Sequence, residues 1–249
     1  MKKNSCLVTV ILLHLRLFSQ CINQEKITSG GDFGAENYIH LCPTYQFDFG
    51  GDTSKNWNVL NDPIDITQAP ANILTLKNYV EERVKEFAGI NFFLKLKFDG
   101  ISVVYPDKLQ AFIDSGRQDV TLEFYKAKYF FYYNFMPDTL MRYHIGIAVD
   151  SLGKIISSFN FPSKQKYKAI DTTYTYCKLI EIAKNVLKQI EPIKEIRLEF
   201  DDKVQRFYWL IVQEIVHEKQ GLNHLNEVMI DAANLTNTKL KRSKVYIEY

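Results

Sequence analysis

The sequence predicts an α+β protein with two repeated units, each one helix packed on a twisted antiparallel sheet, after an N-terminal signal and a polar leader. The main observation is a duplication. The segment LKLKFD at residues 94–99 reappears as IRLEFD at residues 196–201. An aromatic segment follows each copy, YFFYY at residues 129–133 and FYWL at residues 207–210. Because a duplicated segment adopts the same supersecondary structure in both copies, this order predicts two equivalent units.

A helix is predicted ahead of each strand motif. The first covers about residues 74–88, with Gly89 placed as its C-terminal cap, and the second covers about residues 175–190 and stops before Pro192. A helix with one apolar stripe must lay that stripe on a sheet face. The corresponding stripe positions are Leu76, Val80, Val84 and Phe87 in the first helix and Leu179, Ala183, Leu187 and Ile190 in the second.

Each unit then closes on an apolar run that ends in aspartate and a turn. These runs are IAVD at residues 147–150, followed by SLGK, and VMID at residues 228–231, followed by AAN. Asn234 occupies the turn position where glycine is expected, and asparagine tolerates the left-handed conformation that such turns use.

This order of elements resembles the PepSY-like domain in a tandem arrangement, over about residues 74–249. The closing signature of that family is an apolar strand, aspartate, a small residue, a Thr-Gly turn and another apolar strand. Residues 149–156 carry the signature one residue short, and residues 230–234 carry its Asp-Ala step. The resemblance implies an extracytoplasmic, non-catalytic module of the kind found in peptidase propeptides and bacterial envelope proteins. A cystatin-type helix on a curved sheet fits the same physical argument.

The two units are unequal in length, because the first holds an insertion before its aromatic strand. A short helix at residues 106–115 and a further strand at residues 120–124 are the elements that its sequence suggests. The predicted organisation is a signal peptide at 1–20, a leader at 21–70 with a possible strand at 45–49, a first helix-plus-sheet unit at 71–165 with the insertion near 101–119, and a second unit at 166–249.

The N-terminus predicts export. Residues 1–20 combine a basic start with a short apolar run, and Ser19 supplies a small residue for cleavage. The run is too short to span a bilayer, which takes about 20 apolar residues. We therefore expect an extracytoplasmic protein, in the periplasm, at the cell surface or secreted. A lipid anchor at Cys21 is the alternative, but Gln20 disfavours it because lipoprotein signals place a small residue before the cysteine.

Composition limits the function classes. The formal net charge is +2, and loss of the signal removes Lys2, Lys3 and Arg16, so the mature chain is close to neutral. A nucleic-acid-binding footprint is therefore not expected. With 46% hydrophobic and 14% aromatic residues, the chain can bury a sizeable core.

Cysteine usage offers one candidate crosslink. After signal removal, an oxidising compartment would allow Cys42 and Cys177 to pair, and a buried free thiol is the alternative. The spacings match no zinc pattern, so we expect no metal and no cofactor.

The histidines and acidic turns give no catalytic set. His217-Glu218 begins like a zinc-protease helix, but Gly221 stands where the second histidine would be. His217 and His224 flank a predicted hairpin loop at residues 218–223, so solvated loop histidines are expected. Asp201-Asp202 is typical of a turn rather than of a calcium site. No nucleophile elbow, phosphate loop or dinucleotide fingerprint occurs, and the protein is not expected to be an enzyme.

The aromatic strands supply the candidate binding residues. Both faces of residues 129–135 are aromatic, although a helix-covered sheet needs only one buried face. The second face either packs on the other unit or forms an exposed binding patch. The candidate binding residues are Tyr129, Phe131, Tyr133, Tyr208 and Trp209.

A basic run near the C-terminus has two interpretations. KLKRSK at residues 239–244 either forms a basic surface for a partner or places on an edge strand the lysines that discourage aggregation.

Together these features favour a non-catalytic binding module for a protein or peptide partner, with peptidase modulation as one form of that activity. An architectural envelope protein without a ligand is the second hypothesis, and an unrecognised hydrolase is the third. Neither a nucleic-acid partner nor a transmembrane segment is expected.

Overall fold

The computed structural model describes residues 21–33, 46–50, 64–65, 71–104, 127–217 and 222–246, in two compact units. Both units combine a helix with a largely antiparallel sheet, which confirms the predicted α+β class. The predicted signal at residues 1–20 and the predicted elements at residues 106–115 and 120–124 lie outside the described residues.

The six-stranded unit takes in the described residues of Ser29–Ala169 together with Phe200–Arg206. Its elements are β1 (Gly30–Asp32), β2 (Gln46–Gly50), β3 (Ile64–Asp65), α1 (Ala71–Ala88), α2 (Ile90–Phe93), β4 (Leu96–Val104), β5 (Tyr129–Phe135) and β6 (Tyr143–Val149). The strand order of its sheet is β1-β6-β5-β4-β2-β3. Strands β4, β5 and β6 form an antiparallel meander, whereas β1 pairs in parallel with β6, and β3 pairs in parallel with β2.

Helix α1 follows the predicted pattern closely. Val80 and Val84 from the predicted stripe are buried, together with Ile73 and Ala88. Gly89 ends the helix as predicted: its φ is +82°, a value that a residue with a Cβ adopts with strain, and its N–H donates to the Lys85 carbonyl at 2.9 Å.

The four-stranded unit takes in residues 21–28, Ile170–Glu199 and the described residues from Phe207 onward. It contains a short 3-10 turn at Gln24–Lys26 and a sheet with the order β10-β9-β8-β7. Its elements are α3 (Tyr176–Val186), β7 (Ile193–Asp201), β8 (Arg206–His217), β9 (Leu222–Asp231) and β10 (Thr238–Tyr246).

Helix α3 is shorter than predicted. Thr175 caps its N-terminus by accepting the Lys178 N–H at 3.1 Å, and Leu179 and Ala183 of the predicted stripe are buried. The helix ends at Val186 rather than near Ile190, and the segment that follows it is bound by the side chain of Gln213. Its Nε2 donates to the carbonyls of Gln189 and Glu191, both at 2.7 Å, and holds that segment in a turn leading to β7.

The predicted Cys42–Cys177 pair is wrong: Cys177 is bonded to Cys21, with 5.5 Å between the two Cα atoms. The cause is a long-range contact that spacing does not reveal. Ile27 forms a parallel bridge with Ile196 of β7, which brings the N-terminal segment to α3 and its cysteine. A sulfur held in this disulfide cannot carry a lipid, and Cys42 lies outside the described residues.

The leader expected at residues 21–70 holds more strand structure than predicted. The possible strand at residues 45–49 corresponds to β2, but β1 and β3 were missed because each is too short to show an alternating pattern. Gly31 in β1 has a φ of +63°, and a Cβ there would lie 2.6 Å from the His144 carbonyl oxygen. Gly31 therefore permits close pairing of β1 with β6.

The two closing aspartates form turns as predicted. Asp150 Oδ1 accepts the N–H groups of Leu152 and Lys154, both at 2.9 Å, and Asp231 Oδ1 accepts that of Ala233 at 2.9 Å. Asp201 likewise accepts the N–H of Lys203, which agrees with turn chemistry.

The matched strand motifs correspond less well than their sequences suggest. Each lies in the first strand after the main helix of its unit, β4 or β7. However, Leu94 precedes β4 and is 73% exposed, whereas Ile196 lies inside β7 and is fully buried. The order of elements agrees between the units, but the residue-by-residue match does not extend to the start of the motif.

Replacing Cys177 with serine should lower the free energy of unfolding by about 2–4 kcal/mol, because the long loop closed by the crosslink becomes free in the unfolded chain. The Thr28 amide, which donates to the Ile196 carbonyl at 2.9 Å, should also exchange its hydrogen faster. Urea unfolding and hydrogen exchange measure both effects. Cys42→Ser is the matched control and should leave both unchanged; an equal loss in that variant would make Cys42 the partner instead.

Candidate functional site

The aromatic residues predicted to bind a partner are buried. Their exposed fractions run from zero to 8%, so none presents a ring to an external ligand. The five residues are Tyr129, Phe131, Tyr133, Tyr208 and Trp209. Their rings belong to the packing of the two units, and the interpretation as an exposed aromatic patch is wrong.

The second face of β5 is covered from within the six-stranded unit. The ring of Phe33, just after β1, packs edge-on against Tyr132 at 4.9 Å and lies 4.5 Å from the His144 ring. A Cβ at Gly146 would lie 1.5 Å from the Phe33 carbonyl oxygen, so β6 can pass beneath this residue only with a glycine there. This contact has no signal in the sequence, because Phe33 is remote from β5 along the chain.

The aromatic residues of β8 are buried in a comparable way. Trp209 is fully buried, with the Tyr174 ring 4.5 Å away and the ring of Tyr176, the first residue of α3, at 6.2 Å. Tyr208 points to the other face of the strand and is also buried. These contacts assign both residues to the core.

A polar cluster surrounds His144 at the β1–β6 pairing. Its Nδ1 lies 2.7 Å from Oδ1 of the buried Asn134, so Nδ1 carries the proton and Nε2 is left as an acceptor. Burial lowers the pKa of His144; the Asp99 carboxylate opposes this shift and the Arg142 guanidinium adds to it. Asn160 donates to the carbonyls of His144 and Asp32, both at 3.2 Å, and ties β1 to β6. The cluster thus has a structural role in holding the N-terminal strand.

His217 and His224 lie on the paired strands β8 and β9 of the four-stranded sheet. His217 is the last residue of β8, and His224 lies within β9 opposite Ile215, so the expectation that His224 is a loop residue is wrong. Residues 218–221 lie outside the described residues. Within the described ranges, no three His, Cys, Asp or Glu side chains are grouped as metal ligands. The dispensability of His217 and His224 stays a prediction.

The sheet edges offer a different candidate site. The six-stranded sheet ends in β1 and β3, which have three and two residues and provide little backbone for a partner. The four-stranded sheet ends in β7 and β10, each of nine residues. The bridge from Ile27 covers part of β7. Among the described strands, β10 is therefore the long edge that pairs on one side, with β9.

The direction of the backbone groups along β10 follows from two hydrogen bonds. The Asp231 N–H donates to the Asn237 carbonyl at 2.9 Å, and the Ala232 N–H to the Phe207 carbonyl at 3.0 Å. In an antiparallel ladder, hydrogen-bonded and non-hydrogen-bonded pairs alternate. With the register of β10 on β9, the residues whose N–H and C=O point away from β9 are Thr238, Leu240, Arg242, Lys244 and Tyr246.

The side chains of β10 are basic and differ in their partners. Lys239 lies over the Tyr208 ring at 5.2 Å, and Lys241 forms an ion pair with the buried Glu227 at 3.1 Å. Arg242 and Lys244 are exposed, and within the described residues neither has an acidic partner. The strand therefore combines outward backbone groups with two unpaired positive charges. We call β10 and these groups the β10 edge.

The comparisons with known proteins add no neighbour: no family model, no curated protein and no solved structure matches this chain. In the described part of the chain, no helix has the length and apolar character needed to cross a membrane.

Truncation of the buried aromatic residues should unfold the protein rather than remove a binding contact. Phe131→Ala and Trp209→Ala should each lower the free energy of unfolding by roughly 3–5 kcal/mol, because each leaves a cavity in a packed core. Tyr79→Ala, at a position 45% exposed on α1, is the control and should change it by less than about 0.5 kcal/mol. Urea unfolding monitored by circular dichroism measures all three. Stable, fully folded Phe131 and Trp209 variants would contradict this assignment.

The lowered pKa of His144 should make stability depend on pH. The unfolded chain binds a proton near pH 6.5, while the folded chain resists it, so stability is lost as the pH falls below about 6.5. His144→Gln retains a side-chain N–H for Asn134 and should flatten this part of the profile. Melting temperatures of both proteins between about pH 7.5 and 5 test the expectation; parallel profiles would show that His144 does not contribute.

Proposed function

We propose that this protein is an extracytoplasmic, non-catalytic binding module that takes up an extended segment of a protein or peptide partner along the β10 edge. The observation that carries the proposal is the nine-residue edge strand whose outward N–H and C=O groups pair with no other described strand. Backbone pairing with an added strand is a common mode of peptide recognition, and it needs only such an edge.

Two features support the extracytoplasmic location. The first 20 residues have the composition of an export signal. The Cys21–Cys177 disulfide closes a long loop, and structural disulfides persist in oxidising compartments such as the periplasm or the extracellular space.

The duplication inferred from the sequence belongs to the same proposal. In each unit a helix is followed by an antiparallel meander, α1 by β4, β5 and β6, and α3 by β7, β8 and β9. Each third strand ends at an aspartate that caps a turn. These features support two copies of one ancestral unit, of the helix-on-sheet kind that the PepSY-like resemblance implies. Such modules act by binding, which agrees with the proposed role.

Replacing Leu240 with proline tests the proposal. Proline removes the outward N–H of this residue and keeps all the basic side chains and the hydrogen bonds to β9. The probes are three end-capped peptides of nine residues, built from alternating threonine and valine. One carries two glutamate residues, the second carries two glutamine residues and the third carries two lysine residues. Leu240→Pro should weaken binding of the tightest of them about tenfold or more.

Leu240→Ala is the matched control, because it loses the same partly exposed side chain and keeps the N–H. It should bind within about twofold of the unaltered protein. Fluorescence anisotropy gives the affinities, and thermal unfolding verifies that both variants are folded. Equal binding by the two variants, or no binding of any peptide to the unaltered protein, would refute strand addition at β10.

A further inference from the structure

We infer that the segment taken up by β10 is acidic, with two carboxylate side chains two residues apart that lie opposite Arg242 and Lys244. This inference rests on the proposed function and specifies the chemistry of the partner. It starts from the charge of the strand: β10 has the sequence TKLKRSKVY, with four basic residues and no acidic one.

The four basic residues are not equivalent. Lys239 and Lys241 project from one face of the sheet, where the Tyr208 ring and the Glu227 carboxylate already engage them. Arg242 and Lys244 project from the opposite face, which they share with Leu240. No acid among the described residues pairs with either, so their charges are left for a partner.

The backbone places these two charges next to an added strand. The N–H and C=O groups of Arg242 and Lys244 point away from β9, as the alternation along the ladder requires. An antiparallel partner would therefore form hydrogen-bonded pairs with these two residues, at a Cα separation of about 5.5 Å. Side chains of such pairs lie on the same face of the sheet, within reach of each other. Two acidic residues at alternate positions of the partner would meet both charges.

The same charges disfavour a second copy as the occupant. Antiparallel pairing of β10 with itself, centred on this stretch, would place Lys or Arg beside Lys or Arg. Like charges at directly opposed positions destabilise a sheet. The basic residues thus protect the edge against self-association and select for an oppositely charged strand.

The test compares the glutamate, glutamine and lysine peptides on the unaltered protein and on two double variants. The glutamate peptide should bind about three- to tenfold more tightly than the glutamine peptide, and the lysine peptide more weakly than both. Arg242→Gln with Lys244→Gln should bring the glutamate and glutamine peptides to equal affinity and leave glutamine-peptide binding unchanged.

Lys239→Gln with Lys241→Gln is the matched control. It removes the same number of positive charges from the same strand, but from the face where they are already engaged, and should retain most of the preference for glutamate. Raising the salt concentration from about 0.05 to 0.5 M should reduce the preference in the unaltered protein. Circular dichroism melting verifies the fold of each variant.

The outcomes separate this inference from the proposed function. Equal binding of the glutamate and glutamine peptides to the unaltered protein would overturn the acidic partner and leave strand addition intact. Equal loss of preference in the two double variants would overturn the assignment to Arg242 and Lys244. A third outcome is that Leu240→Pro leaves binding of the glutamate peptide unchanged while heparin abolishes it. This outcome would show that the basic residues attract polyanions in general, and it would overturn both proposals.

Discussion

The exclusion of water from both faces of β5 and β8 is the constraint on which the rest of the structure depends. A sheet covered by one helix can keep its other face polar, but these central strands carry large apolar side chains on both faces. The six-stranded unit meets this requirement with Phe33, which follows a three-residue strand packed so closely on β6 that glycine is needed at both Gly31 and Gly146. Strand β1, and the hydrogen bonds by which Asn160 connects it to β6, serve to keep Phe33 over this face.

The same constraint is the reason that we propose a binding site at a sheet edge and not on a sheet face. Tyrosine, phenylalanine and tryptophan are typical of interfaces, and the candidate residues were chosen for that reason. Once both faces of a strand are buried, its aromatic side chains stabilise the fold and are not available to a partner. In the function that we propose, backbone groups at an edge are the recognition element, and the side chains beside them provide selectivity. On β10 these side chains are Arg242 and Lys244.

Predictions based on local signals agree with the structure. Gly89 ends α1 at the predicted position, and Thr175 caps the N-terminus of α3, which begins one residue after the predicted start. Asp150 and Asp231 cap the turns that their motifs indicated. Each of these depends on residues a few positions apart, whose chemistry is visible in the sequence. For the basic run of residues 239–244, an edge strand is one of the two interpretations from the sequence, and β10 does end the four-stranded sheet. Its two faces can be told apart only with the register on β9.

Predictions that required long-range information were wrong or incomplete. The sequence predicted Cys42 as the partner of Cys177, whereas the bridge between Ile27 and Ile196 brings Cys21 to that position. Packing also determines that Phe33 covers β5. It likewise determines that Ile196 is buried, whereas Leu94, the corresponding residue of the other motif, is exposed. None of these contacts has a signal within the short windows from which periodicity is measured.

Lys26, Ile27 and Thr28 contact β7 through a side-chain hydrogen bond, a parallel bridge and a backbone hydrogen bond, respectively. These contacts make the four-stranded unit discontinuous in the chain. Its first described segment is synthesised before all of α1, and its sheet only after β6. The unit therefore cannot be completed until the strands of its sheet have been synthesised, and pairing across so long a separation is slow. A fragment that begins at Ile170 would contain every strand of this sheet and still leave β7 uncovered, with Cys177 unpaired. Residues 21–28 and the sheet of β7 to β10 are therefore a single folding unit, although α1 and β4 to β6 lie between them in the chain.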